Sequence, residues 1–360
     1  AEVGAGGGSI AAVDRSGSLR VGPHSSGADP GPACYQLGGQ DATVTDANVL
    51  LGFLNPQHLL AGAFEIDSEL ARKAITDHVA RPLGMSDVEA AYGIHTLVNS
   101  NMGRALRAVS SERGRDPRRF TLVAFGGGGP IHAAGLAEML GIGRIMVPPA
   151  PGVFSAFGLL FADVEHHFVQ THFKSFEELD LDRANGILQR LQEQGRSLLR
   201  EEGFDGSLQQ TVTQLDMKYT GQTSETTVNM PHHRFSAASL VEMGELFMVE
   251  HEKTYGYRVD EAFQLVNIRV IARGISPKSR VPETMKLGTD IIPARSGERD
   301  VYFGGRRGWV STPVIGRAAL SKGGQGGPAI VEEYDSTTVV PPGWRASLDP
   351  MKNIVLSTAR

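Results

Sequence analysis

The clearest hydrophobic pattern in the chain lies between residues 86 and 114. Apolar side chains recur there at intervals of three and four residues, which is the period of an amphipathic helix. The repeating positions are Ile94, Leu97, Val98, Met102, Ala105 and Val109. Ser86 and Glu89 have the spacing of a capping box, so the helix is predicted to begin beside them. Asn101 falls within the apolar stripe. Its amide either bonds to neighbouring backbone or faces a ligand cleft.

A strand, a glycine loop, a helix and a second strand are predicted within residues 121–149. Residues 121–125 form a short apolar run, which is typical of a strand buried in a parallel sheet. Four glycines follow, then Pro130 suits the first turn of a helix and Gly141 is placed to end it. The glycine spacing matches neither the dinucleotide fingerprint nor a Walker A loop. The residues alone therefore leave open a plain tight turn and a loop that a ligand approaches closely.

Other patterns predict the remaining elements. A β-hairpin is predicted over residues 10–21, amphipathic helices over 180–203 and 236–255, a half-buried strand over 211–219 and a further strand over 265–272. From residue 300 onward only short strand patterns occur, separated by Pro and Gly, as in a small β-sandwich or barrel-like cap. The stretch TVTDANVLL predicts a strand end that runs into a helix, with Asp46 as its N-cap and Asn48 exposed in the first turn.

Composition narrows the class of protein. The chain has 360 residues, a length that suggests roughly two domains, and a net charge of −5 that gives no basic footprint for nucleic acid. No run of about eighteen apolar residues is present to span a membrane. Cys34 is the one cysteine, so a reducing, cytoplasmic setting is the simplest expectation. The chain opens on Ala1 and enters a glycine-rich motif at once, from which we expect it to be part of a longer protein.

Two further groups of residues have side chains capable of chemistry. His166, His167 and His172 lie in one stretch, but adjacent histidines on a strand point to opposite faces, so a surface or interdomain role is favoured over metal binding. Cys34 has no histidine near it in sequence, which makes a catalytic thiol the less favoured interpretation.

Several long motifs carry a resemblance to a known family. They are GAGGGSIA (4–11), LRVGP (19–23), SSGADPGPACY (25–35), TVTDAN (43–48), LVAFGGGGPIHA (122–133), PPAPGVFSAFGLLFAD (148–163) and GPAIVEEYDSTTVVPPGW (327–344). On these residues the chain resembles the C-terminal half of the hydantoinase A/5-oxoprolinase family, across nearly its whole length.

The resemblance implies a fold and an activity. The expected fold is α/β, with part of an actin/hexokinase/Hsp70-like ATPase lobe at 1–168, followed by an α+β C-terminal domain at 169–360 that ends in short β-strands. That second domain is expected to be helix-rich over 175–285 and β-rich over 286–360. The implied activity is ATP-dependent hydrolysis of a cyclic amide such as a hydantoin, N-methylhydantoin or 5-oxoproline. An ATP-dependent carboxylase subunit of the acetone or acetophenone type, or a non-catalytic scaffold, is the alternative.

The resemblance also implies site residues and partners. Gly126, Gly127, Gly128 and Gly129 are similar to the adenosine motif of that ATPase class, with His132 beside them. Asp46, Asn48 and Asn101 are the candidate catalytic residues. ATP and Mg²⁺ are the implied cofactors, with no metal ligand identified, and a hydantoinase B-type subunit and a homo-oligomer are the implied assemblies.

One family feature is missing from this sequence. The Asp-Gly-Gly-Thr phosphate hairpins of the family lie in the half that precedes the matched region, and the 360 residues contain no such pattern. The chain alone is therefore expected to be inactive.

Overall fold

The chain forms two compact units. The computed structural model describes residues 3–57, 62–259, 261–276 and 297–358. The first unit comprises 1–111, 116–157 and 285–360, and the second comprises 112–115 and 158–284. No helix in these described ranges is both long and apolar enough to cross a membrane.

Helices and strands alternate irregularly along the chain. The helices are α1 (Val44–Leu50), α2 (Ser68–Ile75), α3 (Arg81–Leu83), α4 (Asp87–Val109), α5 (Gly129–Leu140), α6 (Phe154–Leu159), α7 (Leu181–Glu201) and α8 (Ala237–Tyr255), with a π-helical turn at Thr76–Ala80 between α2 and α3. The first eight strands are β1 (Ser9–Val13), β2 (Leu19–Ser25), β3 (Leu122–Val123), β4 (Arg144–Val147), β5 (Val164–Ser175), β6 (Gln209–Tyr219), β7 (Thr226–Met230) and β8 (Phe263–Gly274). The others are β9 (Gly297–Tyr302), β10 (Trp309–Gly316), β11 (Gln325–Gly326), β12 (Ala329–Glu332), β13 (Thr337–Val340), β14 (Trp344–Leu348) and β15 (Ile354–Thr358).

The predicted long helix is α4, and its N-terminus is built as expected. Ser86 is the N-cap, and its side chain and that of Glu89 form the reciprocal capping box. Ile94 and Val98 are fully buried in the core cluster that includes Val44. The helix ends at residue 109, before the predicted 114, and a short 3₁₀ turn follows it at Ser111–Arg113.

The glycine-loop region of the first unit has the predicted order of elements. β3 pairs in parallel with β4, and α5 runs between them in sequence. Pro130 lies in the first turn of α5, and Gly141 ends the helix in the left-handed conformation with φ of 69°. Left-handed backbone is the usual reason for a glycine at this position. The observed β3 has two residues, which is shorter than the predicted strand.

The last strands do not form a separate cap, which differs from the expectation of a small sandwich or barrel. β15 pairs antiparallel with β4, with Ile354 opposite Val147, so the sheet order is β11-β14-β15-β4-β3. β9, β10, β12 and β13 form a neighbouring sheet of the same unit in the order β13-β12-β10-β9. The reason is that β4 has β3 on one side only, and β15 supplies the hydrogen-bonding partner for its other side.

The second unit is a four-stranded antiparallel sheet packed against helices. Its strand order is β5-β8-β6-β7. Leu188 of α7 and Phe247 of α8 are buried in one cluster with Leu215 and Ile268 of the sheet. The alternation predicted for 211–219 is confirmed for Leu215, Met217 and Tyr219, and the predicted helices over 180–203 and 236–255 are α7 and α8.

The predicted division of the chain at residue 168 is a division of family segments, and it stays a prediction. The compact units are defined by contacts, and they place the described strands after residue 296 in the first unit. The predicted change from helix-rich to β-rich structure at residue 285 lies outside the described residues.

Arg317 is a buried clamp of the first unit. Its guanidinium donates to both carboxylate oxygens of Glu333, at 2.6 and 2.8 Å. It also donates to the carbonyls of Val147, Pro148 and Lys352. Burial raises the pKa of Glu333, and the charge of Arg317 opposes that shift. The clamp joins the end of β4, the turn before β15 and the segment after β12.

Replacing Arg317 with Met is expected to lower the free energy of unfolding by roughly 3–5 kcal/mol, because Glu333 would stay buried without a cation. Urea denaturation followed by circular dichroism measures the change. Arg81→Met is the matched control, since Arg81 and Asp77 form an exposed pair at 3.0 Å and such pairs contribute less than about 1 kcal/mol. Equal losses in the two variants would contradict the clamp.

Candidate functional site

A cavity of about 460 Å³ lies within the first unit, beside the glycine loop. Three parts of the chain converge on it. Gly127 and Gly128 line it together with the first turn of α5, Asn48 reaches it from α1, and residues 332–337 border it from the turn between β12 and β13. Much of the remaining wall is apolar or aromatic and comprises Tyr35, Leu37, Leu54, Phe64 and Ile131.

The glycine loop is open on the side of the cavity. Gly126 has φ of 83°, a conformation that other residues rarely adopt, so this position requires glycine. Gly128 is the N-cap of α5 with no side-chain cap, and an added Cβ at Gly128 or Gly129 would meet no atom within 4 Å. At Gly127 the added Cβ would make an ordinary contact with the carbonyl of Asp335 at 3.5 Å. The loop therefore leaves space at the start of α5 for a bound group.

Two buried histidines and two asparagines form a polar network beside the cavity, and two of its members, His132 and Asn48, line the cavity. His132 of α5 places Nδ1 2.7 Å from Asn99 Oδ1 and Nε2 3.4 Å from Asn48 Nδ2. Asn48 Oδ1 lies 2.9 Å from His95 Nδ1. The rings of His95 and His132 stack with centroids 4.6 Å apart. These contacts join three helices from separate parts of the chain, α1, α4 and α5.

This network is consistent when both histidines are neutral. Asn99 Oδ1 can only accept, so His132 donates from Nδ1 and accepts the Asn48 amide at Nε2. Asn48 Oδ1 in turn accepts from His95 Nδ1. Burial lowers the pKa of His132 to about 4. Burial and then the neighbouring His132 lower the pKa of His95 well below its usual value. At neutral pH, His132 is therefore an uncharged acceptor.

The segment 332–336 is held from several sides. Glu332 pairs with Arg299 at 2.7 Å, and Glu333 pairs with Arg317. Asp335 accepts the backbone N–H of Gly152 at 2.8 Å. Ser336 donates toward the carbonyls of Gly126 and Gly127, each 3.3 Å away. The segment and the glycine loop thus contact each other directly at the edge of the cavity.

The electrostatic character of the cavity follows from its lining. Acidic side chains border it, but no lysine or arginine is among the described lining residues. A phosphate group in the cavity would meet no cationic side chain there. In the described ranges, no group of three or more His, Cys, Asp or Glu side chains is arranged to hold a metal ion, and this includes His166, His167 and His172. Mg²⁺ in nucleotide sites is often held by one or two carboxylates together with phosphates, so the Mg²⁺ that the resemblance implies stays a prediction.

Asp46 is buried away from solvent and its carboxylate is occupied. It accepts from the backbone N–H and hydroxyl of Thr43 at 2.9 and 2.7 Å, and from the N–H of Cys34 at 2.8 Å. The predicted N-cap is wrong: Thr43 is the N-cap of α1, and Asp46, the third residue of the helix, is its partner in a capping box. These hydrogen bonds hold the segment before α1 in place. The observed geometry gives no support for a role of this carboxylate in orienting a water molecule. The catalytic assignment of Asp46 stays a prediction.

The remaining predicted residues divide between cavity and scaffold. Asn48 lines the cavity but is only 2% exposed, which corrects its predicted exposure. Asn101 donates to the carbonyl of Val21 at 2.9 Å and accepts from Arg104, so its amide ties α4 to β2. It is not among the residues that line the cavity, and its catalytic assignment stays a prediction. Burial and the adjacent Asp46 raise the pKa of the Cys34 thiol, which disfavours a thiolate nucleophile.

Sequence reasoning missed His95, Asn99 and the segment 332–336. His95 and Asn99 lie four residues apart, on one face of α4, and polar residues at that spacing inside an apolar stripe were an available signal. Residues 331–336 stand out in the sequence only as part of a family motif. Their side chains become neighbours of the glycine loop through pairing of β12 and β13 next to α5, and this tertiary contact has no local signature.

The two lowered histidine pKa values predict a pH-dependent stability. As the pH falls from 6.5 toward 4, the unfolded histidines take up protons before the folded ones, so the free energy of unfolding decreases over this window. The shift of His132 alone corresponds to roughly 3 kcal/mol. Urea denaturation at intervals of pH should show this decrease, and His132→Gln should flatten it.

His78 supplies the control for this pH dependence, because its side chain is exposed. His78→Gln should retain the pH profile of the unaltered chain. A His132→Gln profile that parallels the unaltered one would show that the buried pair does not govern acid stability.

Comparisons with known proteins agree with this architecture. The family model for Hydantoinase/oxoprolinase matches residues 1–168, and that for the Hydantoinase/oxoprolinase C-terminal domain matches residues 179–358. The chain is 39% identical to the caprolactamase subunit alpha of Pseudomonas jessenii, over 97% of this chain and 51% of that subunit. It is 37% identical to the acetophenone carboxylase gamma subunit of Aromatoleum aromaticum, over 96% of this chain and 49% of that subunit.

A solved structure shares the fold. The crystal structure of the ATP-dependent caprolactamase from Pseudomonas jessenii matches 99% of this chain and 52% of its own, with a TM-score of 0.79 and 36% identity. The predicted α/β ATPase-like fold class is confirmed by this match. The chain spans about half the length of these relatives. From the two matched segments and the shared fold, the chain belongs to the hydantoinase/oxoprolinase family.

Proposed function

We propose that the chain supplies the nucleoside-binding side of an ATP-dependent enzyme that hydrolyses a cyclic amide. The observation that carries this proposal is the cavity between the glycine loop and the segment 332–336. A relative of 39% identity is a caprolactamase subunit, and the structure with the same fold is described as an ATP-dependent caprolactamase.

The lining of the cavity favours the uncharged end of a nucleotide. Tyr35, Phe64 and Leu54 offer apolar surface for a flat ring. The loop at Gly127 and Gly128 lets a ligand approach the backbone without a side chain between them. No described lining residue is a lysine or arginine, so the triphosphate would extend out of the cavity. This division agrees with the lack of an Asp-Gly-Gly-Thr hairpin in the sequence.

The chemistry explains why such an enzyme uses ATP. An unstrained cyclic amide is a poor electrophile, and its nitrogen is a poor leaving group. Transfer of the γ-phosphoryl group to the amide oxygen releases ADP and forms an imidate phosphate. Water adds to the ring carbon, and the C–N bond then breaks as a proton moves to the nitrogen, which leaves an acyl phosphate. A second water hydrolyses the acyl phosphate to the carboxylate and inorganic phosphate. The protein contributes positioning and charge stabilisation to such a transfer. In this proposal the present chain binds and orients the nucleoside, and the phosphate-binding groups and Mg²⁺ belong to the other half of the enzyme.

An ATP-dependent carboxylase subunit is a second candidate. The 37% identity with the acetophenone carboxylase gamma subunit supports it, and phosphorylation of an oxygen would serve a carboxylation as well. Relatives in both groups are named as subunits, so we also propose a companion subunit of the hydantoinase B type. A cytoplasmic location and a homo-oligomer complete the proposal.

Gly128→Val tests whether the glycine loop contacts the nucleoside. The added side chain meets no atom within 4 Å of its Cβ, so the fold should be retained while the branched group occupies part of the cavity. The affinity for adenosine, measured by calorimetry, is expected to fall at least tenfold. Gly143→Val is the matched control, because an added Cβ there also meets no atom within 4 Å and Gly143 does not line the cavity. Unchanged affinity in a folded Gly128→Val chain would remove the loop from the site.

The chain alone is expected to release no phosphate from ATP above background. Phosphoryl transfer requires cationic groups around the phosphates, and the cavity does not provide them. Phosphate release is measured with hydantoin, N-methylhydantoin and 5-oxoproline, and with a ketone plus bicarbonate for the carboxylase. Each assay is run on the chain alone and after addition of a polypeptide that carries the Asp-Gly-Gly-Thr half of the family. Substrate-stimulated release by the chain alone would contradict the proposed division of labour.

A further inference from the structure

The strand that leads into the glycine loop is apolar on both faces. Leu122 and Ala124 pack in the core cluster that includes Ala133 of α5. Val123 and Phe125 alternate with them, so their side chains point to the opposite face of the sheet. On that face Val123 is 44% exposed and Phe125 is 43% exposed. A continuous apolar run is typical of a strand that is covered on both faces, whereas the described residues leave much of one face open.

The same strand has a free backbone edge. β3 is the last strand in the order β11-β14-β15-β4-β3, and no described strand pairs with its outer side. Ala124 donates its N–H to the carbonyl of Met146 in β4, at 2.9 Å. Since successive residues of a strand direct their N–H and C=O groups to opposite sides, those of Val123 point away from β4. β3 therefore offers a donor and an acceptor to a further strand.

Neighbouring side chains of the first unit enlarge this exposed surface. The ring centroids of Phe125 and Phe154 lie 5.3 Å apart, and Val153, which precedes Phe154, is 56% exposed. Gly126 donates its N–H to the carbonyl of Pro151 at 2.6 Å, and this bond holds the two segments together. The edge patch comprises Val123, Phe125, Val153 and Phe154. Exposed apolar side chains beside an unpaired strand edge indicate a binding site for another polypeptide.

The relatives indicate which polypeptide this is. The caprolactamase structure shares the fold across 99% of this chain, but the match accounts for only 52% of the caprolactamase chain. The matched region is likewise 51% of the caprolactamase subunit alpha and 49% of the acetophenone carboxylase gamma subunit. In these relatives, a second stretch of about the same length therefore accompanies the half that this chain matches.

We propose that the edge patch is the docking surface for this other half of the enzyme, which adds a strand to the free edge of β3. The inference rests on the proposed function, which divides one nucleotide between two halves and so requires the second half beside the glycine loop. β3 meets this requirement, because the strand leads directly into the loop at Gly126. The side chains of the edge patch are buried against the added polypeptide, and Val123 exchanges backbone hydrogen bonds with it.

The first experiment follows hydrogen exchange in the unaltered chain by mass spectrometry. The chain is measured alone and after co-expression with a polypeptide that carries the other half of the family. Exchange in residues 120–126 is expected to slow at least about tenfold in the complex, because the N–H of Val123 gains a partner. β7 is the control, since it is also the last strand of its sheet, lies in the second unit and should keep its exchange rate.

The second experiment tests the added strand through the backbone of Val123. Val123→Pro removes an N–H that points away from β4, so the chain should fold, while its affinity for the other half should fall about tenfold or more. Val123→Ile is the matched control, because it keeps the N–H and a branched apolar side chain, and its affinity should stay within about threefold of the original. Sedimentation measures the affinity, and circular dichroism checks the fold. The exchange measurement does not depend on either variant folding.

The outcomes separate this inference from the proposed function. If the halves associate without slower exchange in residues 120–126, the division of the enzyme stands and the docking surface is wrong. If they do not associate although the chain alone binds adenosine, the nucleoside site stands and the docking surface is again wrong. Slower exchange in these residues as the concentration of the chain alone rises would assign the edge patch to a second copy. Equal affinities of folded Val123→Pro and Val123→Ile chains would exclude the added strand.

Discussion

The pairing of two buried glutamates with two arginines is the constraint on which the candidate site depends. Glu332 and Glu333 are consecutive, so their side chains leave the end of β12 in different directions, and each is neutralised by its own arginine. Arg299 also donates to the carbonyl of Gly52 in the turn after α1, and Arg317 also donates to the carbonyl of Pro148 directly after β4. Since an unpaired buried charge is costly, the two pairs fix three separate parts of the chain around one cavity.

The opposite wall uses neutral groups for the same purpose. His132 and His95 are stacked and linked through Asn48, and every bond in that network is satisfied without a charge. One wall thus holds position by ion pairs and the other by amide and imidazole hydrogen bonds. Because burial lowers the pKa of both histidines, this wall adds no positive charge to the cavity at neutral pH.

Local sequence patterns predicted most of the helices and strands, but they could not predict which distant strands pair in the tertiary structure. The capping box at Ser86, the glycine that ends α5 and the alternation in β6 are local rules, and each is observed. The prediction assigned the N-cap of α1 to Asp46. The observed N-cap is Thr43, three residues earlier, because the side chains of Thr43 and Asp46 each accept the backbone N–H of the other in a capping box. In the site, the glycine loop and His132 were found through a motif. The segment 332–336 was not, because it becomes a neighbour of the glycine loop only when the sheets are assembled.

The pairing of β15 with β4 has a consequence for how the chain acquires its native state. Ile354 and Val147 are neighbours in the sheet, although about 200 residues separate them in sequence. Contacts of such high sequence separation form slowly, since the loop between them must close first. During synthesis, β4 beside the glycine loop emerges from the ribosome long before its partner strand exists. The sheet beside the glycine loop is therefore completed only after about 200 further residues have been made, and the unpaired edge of β4 is exposed in that interval.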